Sequence, residues 1–205
     1  MVVQEKGFIQ KYGIYLAALV LALAAAGVMY YNHVNNQKIP VLKPMEDFTL
    51  EQLDGKPFHL SQTDGKVRLV SFIFTNCPDV CPATTAYMVQ MQDELKQKGL
   101  YGTQVDFLSI SFDPERDTPE VLQEYADRFR VDQSGWHILR GDEAAVEKVT
   151  KSFGIGVMKQ PDGSYVHTMV TFLLDKQHNL RKMYGMGADM NTEEIMKDLE
   201  LLADE

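Results

Sequence analysis

From residue 13 to residue 31 the chain runs GIYLAALVLALAAAGVMYY, 19 positions without a charge. At about 1.5 Å per helical residue this run matches the roughly 30 Å hydrocarbon core of a bilayer, and it predicts a transmembrane helix. Lys6 and Lys11 precede the run, and Tyr12, Tyr15, Tyr30 and Tyr31 bracket it as interfacial anchors would. The positive-inside bias then puts residues 1–12 in the cytoplasm and everything beyond residue 31 on the extracytoplasmic side of the cell membrane, a single-pass arrangement. A cleaved secretory signal is the competing reading, since Ala24, Ala25 and Ala26 before Gly27 look like a small-residue cleavage site. Both readings export the rest of the chain. Residues 32–44, NHVNNQKIPVLKP, are polar with two prolines and suit an extended linker. The folded domain is expected over 45–205.

Within that domain, Leu69, Val70, Phe72, Ile73 and Phe74 form a short, nearly continuous apolar run, the pattern of a strand buried on both faces. Two cysteines follow at once. Pro82 suits the first turn of a helix, Tyr87, Met88, Met91 and Leu95 recur at helical spacing, and Gly99 supplies the stop. A second apolar run over 105–112 leads through Asp113-Pro-Glu-Arg-Asp117 into a helix over 119–129, capped by Thr118. Strand, helix, strand, helix implies parallel pairing and an α/β class. A helical stretch over 143–153 comes next, then strands over 167–174 and 180–184 that flank a turn as a hairpin, and a final helix over 192–202. The pattern shows neither an internal repeat nor a low-complexity segment.

The 205 residues, 45% hydrophobic and 24% charged, supply one well-filled core. A formal net charge of −9 offers no basic surface for a phosphate backbone, which excludes nucleic acid as a partner. The only two cysteines, Cys77 and Cys81, stand four positions apart, so a multi-bridge disulfide framework is excluded too. From a loop entering a helix, two sulfurs at this spacing can face one metal ion or close a local disulfide. The helix amino terminus favours the thiolate that metal binding and thiol exchange both need. A permanent disulfide would constrain so short a loop little.

The remaining candidates have plainer readings beside them. His167 opens an apolar strand, where a histidine more often packs or caps than ligates. His33 falls in the linker, His178 in a turn, and His59 and His137 read as structural. Asp113 and Asp117 read locally as a turn residue and a helix cap. Met183, Met186 and Met190 form a loose thioether cluster, for which packing is the better account in a chain with 11 methionines.

The order of elements resembles the thioredoxin fold. Within it, Thr75-Asn-Cys-Pro-Asp-Val-Cys-Pro82 resembles the signature of the Sco/SenC family, Ser109-Ile-Ser-Phe-Asp-Pro-Glu-Arg-Asp-Thr-Pro119 resembles its next block, and Val166-His167-Thr168 matches its distant histidine in context. The likeness spans roughly residues 45–203. It implies a membrane-anchored, thioredoxin-like copper-binding domain with Cys77, Cys81 and His167 as ligands. Two thiolates and one imidazole suit Cu(I) in a low-coordinate site and tolerate Cu(II), whereas zinc normally takes a fourth ligand. Asp113 is the expected neighbour of that site, acting by hydrogen bonding or charge. The implied role is a metallochaperone for cytochrome c oxidase assembly, which delivers copper to the dinuclear copper site of an oxidase subunit or prepares that site's cysteines. No residue pattern names the copper donor, and a monomer is expected.

The alternative is a thiol-disulfide reductase acting through Cys77 and Cys81. Against it stand the three-residue spacing of the pair and the lack of proline at 165–168, where ordinary thioredoxins hold a cis-proline facing their cysteines. A peroxidase ranks last, since no single activated cysteine has the arrangement for it.

Overall fold

The computed structural model describes residues 8–36 and 38–205, without the side chains of 8–11 and 30–36. The chain divides into two units, Met1–Ile39 and Pro40–Glu205. The first holds helix α1 (Phe8–Asn36), and its window Tyr12–Met29 is long and apolar enough to cross a membrane. Lys6 lies outside the described residues, as do the side chains of Lys11, Tyr30 and Tyr31. The helix outruns the apolar segment because nothing over 32–36 breaks a helix, the first proline being Pro40.

The second unit is built on an eight-stranded sheet in the order β1-β10-β9-β4-β5-β6-β2-β3. Its strands are β1 (Lys43–Pro44), β2 (Thr49–Gln52), β3 (Pro57–His59), β4 (Val67–Ile73), β5 (Val105–Ser111), β6 (Trp136–Arg140), β9 (Val170–Leu174) and β10 (Asn179–Gly185). The helices are α2 (Val80–Gln97), α3 (Pro119–Phe129), α4 (Glu143–Phe153) and α5 (Thr192–Asp204). β4, β5 and β6 run parallel, each step crossing through a helix, while β9 lies antiparallel to β4 and β10 antiparallel to β9. Every residue of β4 and β5 is buried, as strands covered on both faces must be. Phe72, Phe153 and Phe172 meet edge-to-face at 5.0–6.0 Å in the core. Arg68 can lie buried in β4 because Thr63 Oγ1, the Asp175 carbonyl and the Asp64 carboxylate accept its guanidinium protons. Side chains of Thr118, Asp142 and Asn191 cap α3, α4 and α5. This is the thioredoxin-like α/β arrangement expected from the sequence.

Three features differ from the expectation. Residues 43–44 pair with Leu180 and Asn179 as an edge strand, and Leu42 N–H donates to the Leu180 carbonyl at 2.8 Å, so the linker is shortened at both ends. The strand expected over 167–174 is broken at Thr168 and Met169. Its first part instead forms β8 (Tyr165–His167), paired with β7 (Val157–Lys159) in a separate two-stranded hairpin. The turn between them carries Pro161-Asp162-Gly163, where Gly163 takes φ +81° and the Asp162 carboxylate accepts from Ser164 N–H and O–H. The break occurs because Thr168 closes the hairpin on Gly156, by two hydrogen bonds of 3.0 and 3.2 Å, before the chain re-enters the main sheet.

Candidate functional site

β4 delivers the chain to Phe74 at the end of a buried strand, and α2 begins six residues later. Between them Cys77 is half-buried, and Cys81, in the first turn of α2, is fully buried. Cys81 N–H donates to Cys77 Sγ at 3.4 Å, which sets that sulfur at the positive end of the helix. The Cys77 thiol is drawn down to about 5, chiefly by the hydrogen bond from the Cys81 thiol. Burial opposes this, while the backbone N–H groups of Cys81 and Asp79 and the charge of His167 assist. Cys81 is pushed far up by the same hydrogen bond, as its donor, and by burial. The reduced pair therefore holds one proton between two sulfurs, thiolate at Cys77 and thiol at Cys81. Alkylation of the full-length chain by iodoacetamide should rise with a midpoint near pH 5 at Cys77, as read by mass spectrometry, with Cys81 far slower. A Cys77 midpoint near the ordinary thiol value of 9.0 would contradict this.

Asp117 lies beneath the cysteine loop. Its buried carboxylate accepts from Thr75 N–H at 3.2 Å, from Thr75 Oγ1 at 2.6 Å and from Ser111 Oγ, and it joins the carboxyl ends of β4 and β5. Burial pushes its carboxyl above the ordinary range, against the pull of those donors. The expected capping of α3 falls to Thr118, and Asp117 turns inward instead.

Asp113, expected beside the site, is buried beneath the β7–β8 hairpin. It pairs with Arg116 Nε and accepts from Tyr165 O–H at 3.2 Å. Among the described residues no hydrogen bond joins it to either cysteine.

His167 lies on the inward face of the hairpin, its ring centre 4.9 Å from Phe112 and 6.2 Å from Phe74. Its Nδ1 stands 3.0 Å from the Thr168 carbonyl. A carbonyl only accepts, so Nδ1 is the donor, and in the uncharged tautomer the lone pair lies on Nε2, the nitrogen left able to ligate. Tethering of one ring nitrogen to a carbonyl is the usual outer support of a metal-binding imidazole.

The structure thus brings Cys77 and Cys81 into hydrogen-bonding contact and places His167 across a floor of Phe74 and Phe112. Among the described residues no three His, Cys, Asp or Glu side chains are gathered closely enough to hold a metal ion. The donor chemistry nonetheless fits a soft ion, with one thiolate formed, a second sulfur beside it and an imidazole nitrogen free on the facing hairpin. Met186 and Met190 are buried and Met183 is exposed on β10, so the three do not share one environment and the buried two serve packing. Sequence reading missed Tyr165 as a partner of Asp113. The Pro-Asp-Gly turn was the one local signal that residues 157–167 form a hairpin.

A family model described as SCO1/SenC matches residues 37–204. The SCO1 protein homolog of Bacillus subtilis is 30% identical over 166 residues, covering 80% of this chain and 84% of that protein. The structure of BsSco, a member of the Sco family of cytochrome c oxidase assembly proteins in which a disulfide switch was identified, superposes with a TM-score of 0.71 at 30% identity, covering 82% of this chain and 98% of that one. Arabidopsis thaliana ScoI, crystallised with copper bound, gives a TM-score of 0.66 at 30% identity, covering 76% of this chain and 98% of that one.

Proposed function

Because this chain belongs to the SCO1/SenC family, we propose that it is a membrane-anchored copper carrier that supplies the dinuclear copper site of a cytochrome c oxidase subunit. The observation that carries this reading is the cysteine pair, one sulfur already a thiolate and the other in hydrogen-bonding contact with it. Cys77 and Cys81 supply the two sulfurs and His167 Nε2 the nitrogen, a set that holds Cu(I) with few ligands and admits Cu(II). Copper is the cargo. Cys77 and His167 are both only partly buried, accessible enough to be exchanged one ligand at a time for those of an acceptor. The apolar run over 13–31 anchors the chain with residues 1–12 in the cytoplasm, and the monomeric domain over 45–205 works on the extracytoplasmic side.

A second reading is favoured by the low pKa of Cys77 and by the disulfide switch of a relative. In it, the Cys77 thiolate attacks a disulfide of the target and expels one target thiolate. Cys81 then attacks the mixed disulfide, losing its proton, and the target leaves as a dithiol while Cys77–Cys81 is oxidised.

The deciding experiment mixes the full-length chain, in detergent and loaded with Cu(I), with the oxidase's copper-free subunit, and measures copper transfer. The wild type should transfer copper and His167→Ala should fail. If the wild type transfers none, and His167→Ala still reduces the oxidised subunit at the wild-type rate, the chain is a reductase and not a carrier.

A further inference from the structure

The hairpin of β7 and β8 is a sheet of two short strands, and such a unit is barely stable alone. Its outward face is open, with the cross-strand pair Met158 and Val166 66% and 62% exposed. The position of His167 therefore depends on what grips the hairpin from the inward side. The polar grips among them converge on one short segment, residues 113–116. Lys159 pairs with Glu115 at 2.5 Å, and a Cβ placed on Gly163 in the turn would lie 3.6 Å from Arg116 Nη1. At the centre is Tyr165, two residues before His167 on the same face of β8. Its ring packs at 5.3 Å from both Phe74 and Phe112, the two rings that also floor His167. The Arg116 guanidinium lies 5.4 Å over the Tyr165 ring, and its Nε is held by Asp113. The tyrosine hydroxyl reaches the buried Asp113 carboxylate.

Glu115–Lys159 is exposed and so contributes little. The Tyr165–Asp113 bond, by contrast, joins a hydroxyl to a fully buried carboxylate, and hydrogen bonds to charged groups are among the stronger ones. We propose that Tyr165, tied by its hydroxyl to Asp113, is a positioning residue that fixes His167 over the cysteine pair so that the imidazole is presented to an incoming soft metal ion. This rests on the reading of His167 as a ligand and extends it to the residue that holds the ligand in place. Asp113 thus acts on the site through the hairpin. It does not touch the sulfurs.

The test compares the full-length chain in detergent as wild type, Tyr165→Phe and His167→Ala, with two readouts. In the copper-free protein, the His167 ring-proton resonance, assigned by its loss in His167→Ala, should be displaced by the Phe112 ring 4.9 Å away. In Tyr165→Phe it should move toward the position of a solvated histidine, with the thermal transition of the domain little changed. In a competition titration with Cu(I), Tyr165→Phe should bind about tenfold more weakly, because part of the binding energy goes to ordering the hairpin. Arg116→Met, which spares the hydroxyl bond, should show the same two changes to a smaller degree and serves if Tyr165→Phe does not fold. Wild-type resonance and wild-type affinity in Tyr165→Phe would overturn the proposal. Wild-type affinity in His167→Ala would overturn it as well, by removing the ligand reading on which it rests, and the two failures are told apart by which variant retains copper.

Discussion

Cys81→Ser should weaken Cu(I) binding by the full-length chain more than about a hundredfold, since outer partners of a metal ligand alone account for tenfold to a hundredfold and this change removes a ligand. Serine keeps a hydroxyl able to donate to the Cys77 thiolate, so Cys77 should remain the more acidic sulfur. That separates loss of a ligand from loss of thiolate character. Cys81→Ala removes the donor as well and should let Cys77 climb back toward 9.0, because the Cys81 hydrogen bond is the leading cause of its descent to about 5. The pH dependence comes from the same pair. Cys77 is already ionised above about pH 5, whereas Cys81 holds its proton until a metal displaces it. Binding should therefore release about one proton near pH 8, so affinity rises about tenfold per pH unit there, and the slope steepens toward lower pH as the other ligands also have to lose protons. Competition against a chelator of known affinity across that range measures it. A slope of zero, or of two, near pH 8 would show that the proton is not shared as described.

Asp117→Ala should be among the most destabilising changes near the site. It orphans Thr75 N–H, Thr75 O–H and Ser111 O–H, all turned toward a carboxylate with no exposure. At about 1 kcal/mol for each unsatisfied donor the loss is about 3 kcal/mol, or a fall in Tm of roughly 6–12 °C for a domain of this size. Asp117→Asn keeps the shape and one acceptor and should cost about half as much. The direction with pH is fixed by the raised carboxyl. Because it is raised above its unfolded value, its contribution to stability is fully present below that unfolded value and is lost as pH rises through the folded one. Asp117→Asn should therefore flatten the acid side of the stability profile, as thermal melts across about pH 4–7 would show. A melt unchanged from wild type in Asp117→Ala would remove Asp117 as the tie between the ends of β4 and β5.

Much of the frame was legible along the chain. The run of Leu69 to Phe74, the cysteine pair just after it, Pro82 in the first turn and the cap at Thr118 are all local signals, and each lies where local physics puts it. What escaped was set by distant partners. Val157-Met158-Lys159 is too short for a period to show, and its exposed outer face gives no alternation against a core. His167 therefore looked like the start of a strand when it closes one. Asp113 and Asp117 could not be told apart by position, because each is defined by what it reaches across the fold. One meets Tyr165, 52 positions on, and the other meets Thr75, 42 positions back.

The single proton held between Cys77 and Cys81 also sets the electrochemistry of the pair. An environment that favours the reduced, anionic form of Cys77 raises the midpoint potential of the couple and makes its disulfide easier to reduce. Near neutral pH each electron pair taken up by that disulfide brings only one proton, so the potential falls by about 30 mV per pH unit where an ordinary dithiol falls by about 59 mV. A compartment's acidity therefore shifts this couple half as far as it shifts ordinary dithiols. At higher pH the cysteines stay reduced, and open to a metal, because ordinary dithiol partners have become the stronger reductants.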